Sequence, residues 1–175
     1  FTHSKKMFKE IIMRRSHGEK KSGDYMHNLL GTNGRLTDIQ AGIGLAQLKK
    51  LQKFLMLRRK VARKYNQYFK KISGITLPKV YKNCVNAYFF YPILINKRDK
   101  VASELKRKFG IDTRIAYRMP IYRQNIYKKK LIFKKLNCPV TEKVTSKILN
   151  LPIYPNLKSH EIDYIVNSIK KILSK

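Results

Sequence analysis

Asn33 and Arg35 are the side chains of this 175-residue chain best placed to do chemistry, because they flank a glycine at the entrance to a long helical pattern. Asn33-Gly34 is a dipeptide suited to positive φ, so the backbone is expected to turn sharply there and leave its N–H groups exposed. The Asn33 amide donates to a phosphate without changing its own charge state. The Arg35 guanidinium grips a carboxylate or phosphate through two parallel hydrogen bonds. Thr37 and Gln40 follow with the spacing of a capping box, ahead of Ile39, Ile43, Leu45 and Leu48. A helix N-terminus fed by such a turn is a natural seat for an anion. Each feature also has a plainer reading: an ordinary capped helix, an asparagine that only shapes a turn, a solvated arginine.

Other chemistries are thinly represented. His3, His17, His27 and His160 show neither i,i+4 pairing nor H-E-x-x-H spacing, so no metal site is expected. Cys84 and Cys138 form no C-x-x-C pattern, which argues against zinc and disulfides and makes a reducing cytoplasm the expected location. There is no G-x-S-x-G elbow, Walker loop or G-x-G-x-x-G.

The elements that must position these residues follow from periodicity. Residues 5–14 read as a short helix ending near His17-Gly18, and 19–28 as a polar loop. Residues 38–72 read as one long helix with a break near 53–55, closed by Ser73-Gly74. Its apolar positions are Ile39, Ile43, Ala46, Leu48, Leu51, Leu55, Val61, Ala62, Tyr65 and Phe69. Residues 86–95 and 111–117 read as strands, 99–109 as a helix stopped by Gly110, and 141–149 as a further helix. Ser159 is expected to cap a last helix lined by Ile162, Ile165, Val166, Ile169 and Leu173. The fold class expected is α/β, with a first segment at 1–73 that carries the turn and the long helix, followed by a small α+β domain at 74–175.

Composition sets the remaining bounds. A hydrophobic content of 43% is that of a globular chain, and no apolar run approaches the length needed to cross a bilayer. Forty Lys and Arg against ten Asp and Glu give a formal charge of +30, the main argument for a basic nucleic-acid-binding module. The charge is spread along the chain, apart from short groups at 128–130 and 134–135, and reads more simply as a lysine-biased solvated surface.

Several collinear segments resemble the DegT/DnrJ/StrS-type sugar aminotransferases of fold type I. Arg15-Ser16-His17-Gly18 is similar to that family's R-x-H-G, and the 31–41 segment to its G-x-N-x-R-(L/M)-x-x-(I/L)-Q-A. Gly110-Ile111-Asp112-Thr113, Tyr117-Arg118-Met119-Pro120, Pro139-Val140-Thr141-Glu142 and Leu151-Pro152 resemble its G-I-x-T, Y-x-x-P, P-x-(A/T)-E and L-P elements. The resemblance implies pyridoxal 5′-phosphate (PLP) as cofactor and a homodimer with shared active sites. It implies amino transfer, typically from glutamate, to a keto group of a nucleotide-linked sugar in polysaccharide or glycan biosynthesis.

By the same resemblance Asn33 reaches the PLP phosphate of the other subunit, Arg35 holds the anionic donor or sugar substrate, and Tyr117 lies near the sugar. The histidines often found around the Y-x-x-P segment are replaced, with Ala116 before Tyr117 and Tyr122 after Pro120-Ile121. A buried core tyrosine is the plainer alternative for Tyr117. No lysine sits in a Ser-plus-glycine loop like that of the family's Schiff-base lysine, so no catalytic residue is assigned. The chain therefore reads as the C-terminal half of an aminotransferase, inactive alone, with exposed apolar surface on its long helix. A non-catalytic remnant of that fold is the remaining alternative.

Overall fold

The structure is a computed structural model that describes residues 2–21, 23–128 and 136–174. Apart from the backbone of Lys128, the basic groups at 128–130 and 134–135 lie outside them. Helices α1 (Lys5–Arg15) and α2 (Asp38–Phe69) are followed by strands β1 (Ile75–Thr76) and β2 (Tyr91–Ile95) and helix α3 (Arg98–Phe109). A 3-10 turn at Ile121–Arg123 leads to α4 (Asn125–Lys128), α5 (Pro139–Lys147), β3 (Ile148–Leu151) and α6 (Ser159–Leu173). Phe1–Lys50 and Leu51–Lys175 are two compact units.

The C-terminal unit is built on a three-stranded antiparallel sheet in the order β1-β2-β3. Period-2 alternation in β2 buries Tyr91, Ile93 and Ile95 on one face. Against them pack Val61, Ala62, Tyr65 and Phe69 of α2, Val101 and Leu105 of α3, and Ile162, Ile165, Val166 and Ile169 of α6. Tyr65 and Tyr91 stack with ring centroids 4.7 Å apart, and their hydroxyls donate to Pro152 O at 3.0 Å and Asn66 Oδ1 at 2.7 Å. Burial pushes both phenols well above their ordinary pKa. Pro92 is tolerated in the middle strand because β1 pairs only with Leu94 and Ile95, leaving no neighbour on that side to need its missing N–H. Buried Arg98 donates to Thr145 O at 2.6 Å and so ties α3 to a carbonyl of α5.

Several expectations are met and several are corrected. The Gly110 stop is a left-handed C-cap (φ 65°), with Ile111 N–H donating to Leu105 O at 3.0 Å. The break near 53–55 is absent and α2 is continuous over 32 residues, since nothing in that stretch removes a backbone donor. The strand expected at 86–95 shortens to Tyr91–Ile95, because Asn86 Oδ1 accepts the Tyr88 N–H at 2.7 Å and holds Tyr88 at φ 48°. Residues 111–117 are not a strand; only Arg114 is bridged, to Asn150. The helix expected at 141–149 starts earlier, at Pro139, and ends at Lys147, where the chain enters β3.

Ser159 is the first residue of α6 and not its cap. The Glu161 carboxylate accepts the Lys158 N–H at 2.7 Å, while Ser159 O and Oγ both accept from Lys64. Lys64 Nζ also reaches Asp163 Oδ1 at 2.8 Å, and the Tyr68 hydroxyl donates to the same oxygen at 2.7 Å. The hydrogen bond from Lys64, then that from Tyr68, holds the Asp163 carboxyl below its ordinary 3.8, and the bond to Asp163 raises Lys64 above its ordinary 10.5.

The lock linking α2 to α6 is therefore complete between those two ordinary values. Its contribution fades as pH falls through the depressed Asp163 value, or rises through the raised Lys64 value. Asp163→Asn is expected to lower the urea midpoint at neutral pH, and the gap from wild type should narrow as the solution is acidified below 3.8. A gap that stays constant into acid would contradict the lock.

Candidate active-site turn

The first compact unit is organised by two backbone turns laid against each other. Helix α1 is capped by Ser4, whose Oγ accepts the Met7 N–H at 3.3 Å, and it runs into the left-handed pair His17 (φ 58°) and Gly18 (φ 81°). The chain then returns along the segment it has just left. His17 N–H donates to Thr32 O at 3.1 Å, Thr32 N–H to Arg14 O at 2.8 Å and Gly34 N–H to Arg15 O at 2.9 Å, and Ser16 forms an antiparallel bridge with Asn33. A Cβ on Gly18 would overlap the Leu29 carbonyl oxygen, and one on Gly31 would overlap the Gly18 nitrogen. Only glycine at both positions allows this approach. The His17 ring is exposed, while its carbonyl accepts from His27 Nδ1–H at 2.8 Å.

This geometry corrects the expected turn at Asn33-Gly34. Positive φ falls at His17-Gly18, and Asn33 sits in the extended bridge to Ser16. Three of the backbone N–H groups there are taken: Gly34 donates to Arg15 O, and the Thr37 and Gln40 N–H groups are used reciprocally. Thr37 N–H donates to Gln40 Oε1 at 3.1 Å and Gln40 N–H to Thr37 Oγ1 at 3.3 Å, so the capping box is present as expected. Side chains add further donors for an anion.

Asn33 and Arg35 are brought together, both exposed, with Arg35 Nε–H donating to Asn33 Oδ1 at 3.0 Å. A guanidinium has donors only, so the atom facing it must be the amide oxygen. That fixes the amide and leaves Asn33 Nδ2, with no acceptor among the described residues, beside the remaining guanidinium N–H groups. The pair presents donors and positive charge on a backbone that hydrogen bonds hold in place, which fits the phosphate of PLP.

Tyr117 belongs to the other compact unit, on the segment between α3 and the 3-10 turn, and is 66% exposed, outside the core of this chain. Its segment is pinned on both sides. Arg114 exchanges both backbone hydrogen bonds with Asn150, at 3.0 and 2.9 Å, and Glu142 accepts from the Tyr122 hydroxyl and Arg123 Nη2, each at 2.8 Å. The hydrogen bonds from Arg123 and then Tyr122 lower the Glu142 carboxyl below its ordinary value. The paired glycines and the Glu142 clamp escape a reading by local spacing, although Gly18, Gly31 and Glu142 all fall within the quoted motifs.

The mixed helix-and-sheet structure of the chain matches the fold type I aminotransferases. The chain belongs to the DegT/DnrJ/EryC1/StrS aminotransferase family, whose sequence pattern it matches over residues 1–170. Aminotransferases of this family use PLP. The chain is 30% identical over 190 residues to an uncharacterized protein of Methanocaldococcus jannaschii, covering 99% of this chain and 49% of that one. It is 29% identical over 165 residues to the UDP-2-acetamido-2-deoxy-3-oxo-D-glucuronate aminotransferase of Pseudomonas aeruginosa, covering 94% and 44%. It is similar to the crystal structure of a DegT DnrJ EryC1 StrS aminotransferase from Brucella abortus, with a TM-score of 0.83 at 28% identity, covering 100% of this chain and 46% of that one. The chain spans about half the length of the curated relatives it matches. The family match favours the enzyme over a basic nucleic-acid-binding module.

Gly18→Ala forces a side chain into the Leu29 carbonyl at a left-handed position, at a cost of roughly 1–3 kcal/mol. Hydrogen exchange should then show faster exchange at His17, Thr32 and Gly34, with amides late in α2 unchanged. Protection equal to wild type at those three amides would contradict the interlock.

Proposed function

We propose that this chain supplies the C-terminal part of a PLP-dependent aminotransferase that moves an amino group from glutamate to a keto group of a nucleotide-linked sugar, for polysaccharide or glycan biosynthesis. The observation that carries the reading is the Asn33–Arg35 pair on the interlocked turn, with Asn33 Nδ2 and the remaining guanidinium N–H groups as its open donors. Asn33 Nδ2 donates to the phosphate of the cofactor held by the other subunit of a homodimer. Arg35, anchored through Nε, turns its free N–H groups to the carboxylate or phosphate of the bound substrate. The exposed Tyr117 hydroxyl meets the sugar and orients its keto carbon.

PLP, when bound, supplies the electron sink for amino transfer. Residues 1–73 are the end of the cofactor-binding domain and 74–175 the small domain. The dimer covers part of the apolar surface that the first half of α2 exposes at Ile39 (78%), Ile43 (60%) and Leu48 (63%). The reaction takes place in the cytoplasm, and no helix among the described residues is long and apolar enough to cross a membrane. No lysine of this chain sits in a loop resembling that of the family's Schiff-base lysine, so the chain by itself is expected to carry out no turnover.

The test is an amino-transfer assay with glutamate and UDP-linked keto sugars, following amino sugar and 2-oxoglutarate together. The whole protein loaded with PLP is expected to form both in equal amounts, and the isolated chain neither. Asn33→Ala should weaken cofactor retention roughly tenfold to a hundredfold, the span of one charge-assisted hydrogen bond. Turnover by the isolated chain, or unchanged retention in Asn33→Ala, would contradict the proposal.

A further inference from the structure

Arg114 differs from its arginine neighbours in what its guanidinium faces. Arg118 pairs with Asp99 at 3.5 Å, Arg123 with Glu142 at 2.8 Å, and Arg98 with Asp99 at 3.2 Å. Arg58 and Arg59 donate to the carbonyls of Tyr88 and Asn86 at 3.0 and 3.1 Å. The Arg114 guanidinium has no carboxylate or carbonyl partner among the described residues. It rests over the Phe90 ring, 5.4 Å from the centroid, and that ring is held edge-on to Phe89 at 4.6 Å.

Its backbone is unusually fixed for a residue outside a strand. Besides the two bridge hydrogen bonds to Asn150, the buried Asn150 side chain donates to Arg114 O at 2.9 Å. A cationic fork is thus held on a rigid mount and an aromatic shelf, with nothing for its N–H edge to bind.

The fork lines a cleft of about 250 Å³ with Phe89, Phe90, Thr113 and Asn150. One acid, Asp112, also borders it, but Lys106 holds both its carboxylate oxygens, at 2.6 and 2.7 Å. The cleft is left with one unpaired positive charge, three residues before Tyr117.

We infer that Arg114 is a substrate-binding residue, receiving an oxyanion in this cleft. The oxyanion is a carboxylate of the amino donor or a phosphate of the nucleotide, since both match the guanidinium fork. That the oxyanion belongs to a substrate rests on the aminotransferase reading; the binding itself does not.

Calorimetry on the whole protein with UDP and, separately, 2-oxoglutarate tests it. Arg114→Gln is expected to weaken one of the two probes tenfold or more, and the probe affected identifies the source of the oxyanion. Arg114→Lys should recover part of the loss. Lys170→Gln, which removes the same charge from an exposed position on α6, should stay within twofold of wild type. Thermal unfolding should match wild type, because the backbone of Arg114 and not its side chain makes the bridge.

Equal binding of both probes by wild type and Arg114→Gln overturns the inference, as does a wild type that binds neither. An equal loss in Lys170→Gln overturns it too, since general charge then explains the binding. A wild type that aminates the sugar while Arg114→Gln binds normally sinks only the role of Arg114. A wild type that does not aminate, with probe binding lost in Arg114→Gln, sinks only the aminotransferase reading.

Discussion

The close approach of two backbones at Gly18 and Gly31 is the constraint on which the candidate site depends. Because no side chain stands between them, the segment leaving α1 and the segment entering α2 exchange main-chain hydrogen bonds at His17, Thr32 and Gly34. Those bonds hold Asn33 extended, in the bridge to Ser16, and so place its amide beside the Arg35 guanidinium. Placement by hydrogen-bonded main chain costs little reorganisation when a ligand arrives, which favours binding. The interlock takes the N–H groups of His17, Thr32 and Gly34, and the Asn33 and Arg35 side chains add donors that a single substitution can remove.

The C-terminal unit is held by a different balance. Its centre is apolar and aromatic, with Tyr65 and Tyr91 burying their rings while their hydroxyls each find an acceptor. Its edge is polar, with Lys64, Tyr68, Ser159 and Asp163 joining α2 to α6. Arg114, Tyr117 and Glu142 all lie on segments tied to this frame, Arg114 through Asn150 of β3 and Glu142 through α5. The residues proposed to meet substrate in this unit are thus mounted on short loops pinned to regular elements, the arrangement in which loop side chains are held with least uncertainty.

Local signals in the sequence were read well and partnered ones poorly. The capping box at Thr37 and Gln40, the Gly110 stop and the apolar stripe of α6 each rest on residues close in sequence, and each appears in the structure. Asn33-Gly34 misled because what decides its conformation is Ser16, 17 residues earlier, through a bridge that no local propensity describes. The helix expected at 141–149 takes in Ile148 and Leu149 of β3 because they continue its apolar spacing; only pairing with Tyr91–Leu94 makes them a strand. Residues 111–117 alternate as a strand would, yet Asn150 satisfies Arg114 alone and the ladder stops there. In the candidate site, Asn33, Arg35 and Tyr117 are proposed from family motifs, whereas the close approach at Gly18 and Gly31 and the ring under Arg114 depend on contacts that local spacing does not describe.

The interlocked turn is proposed to present Asn33 and Arg35 to a cofactor phosphate and a substrate across a subunit boundary. The most direct test is a crystal structure of the whole protein with PLP bound. Asn33 Nδ2 is expected within hydrogen-bonding distance, about 2.7–3.2 Å, of a phosphate oxygen of the cofactor held by the partner subunit. An Asn33 side chain facing solvent in that structure, with the phosphate satisfied entirely by residues outside this turn, would contradict it.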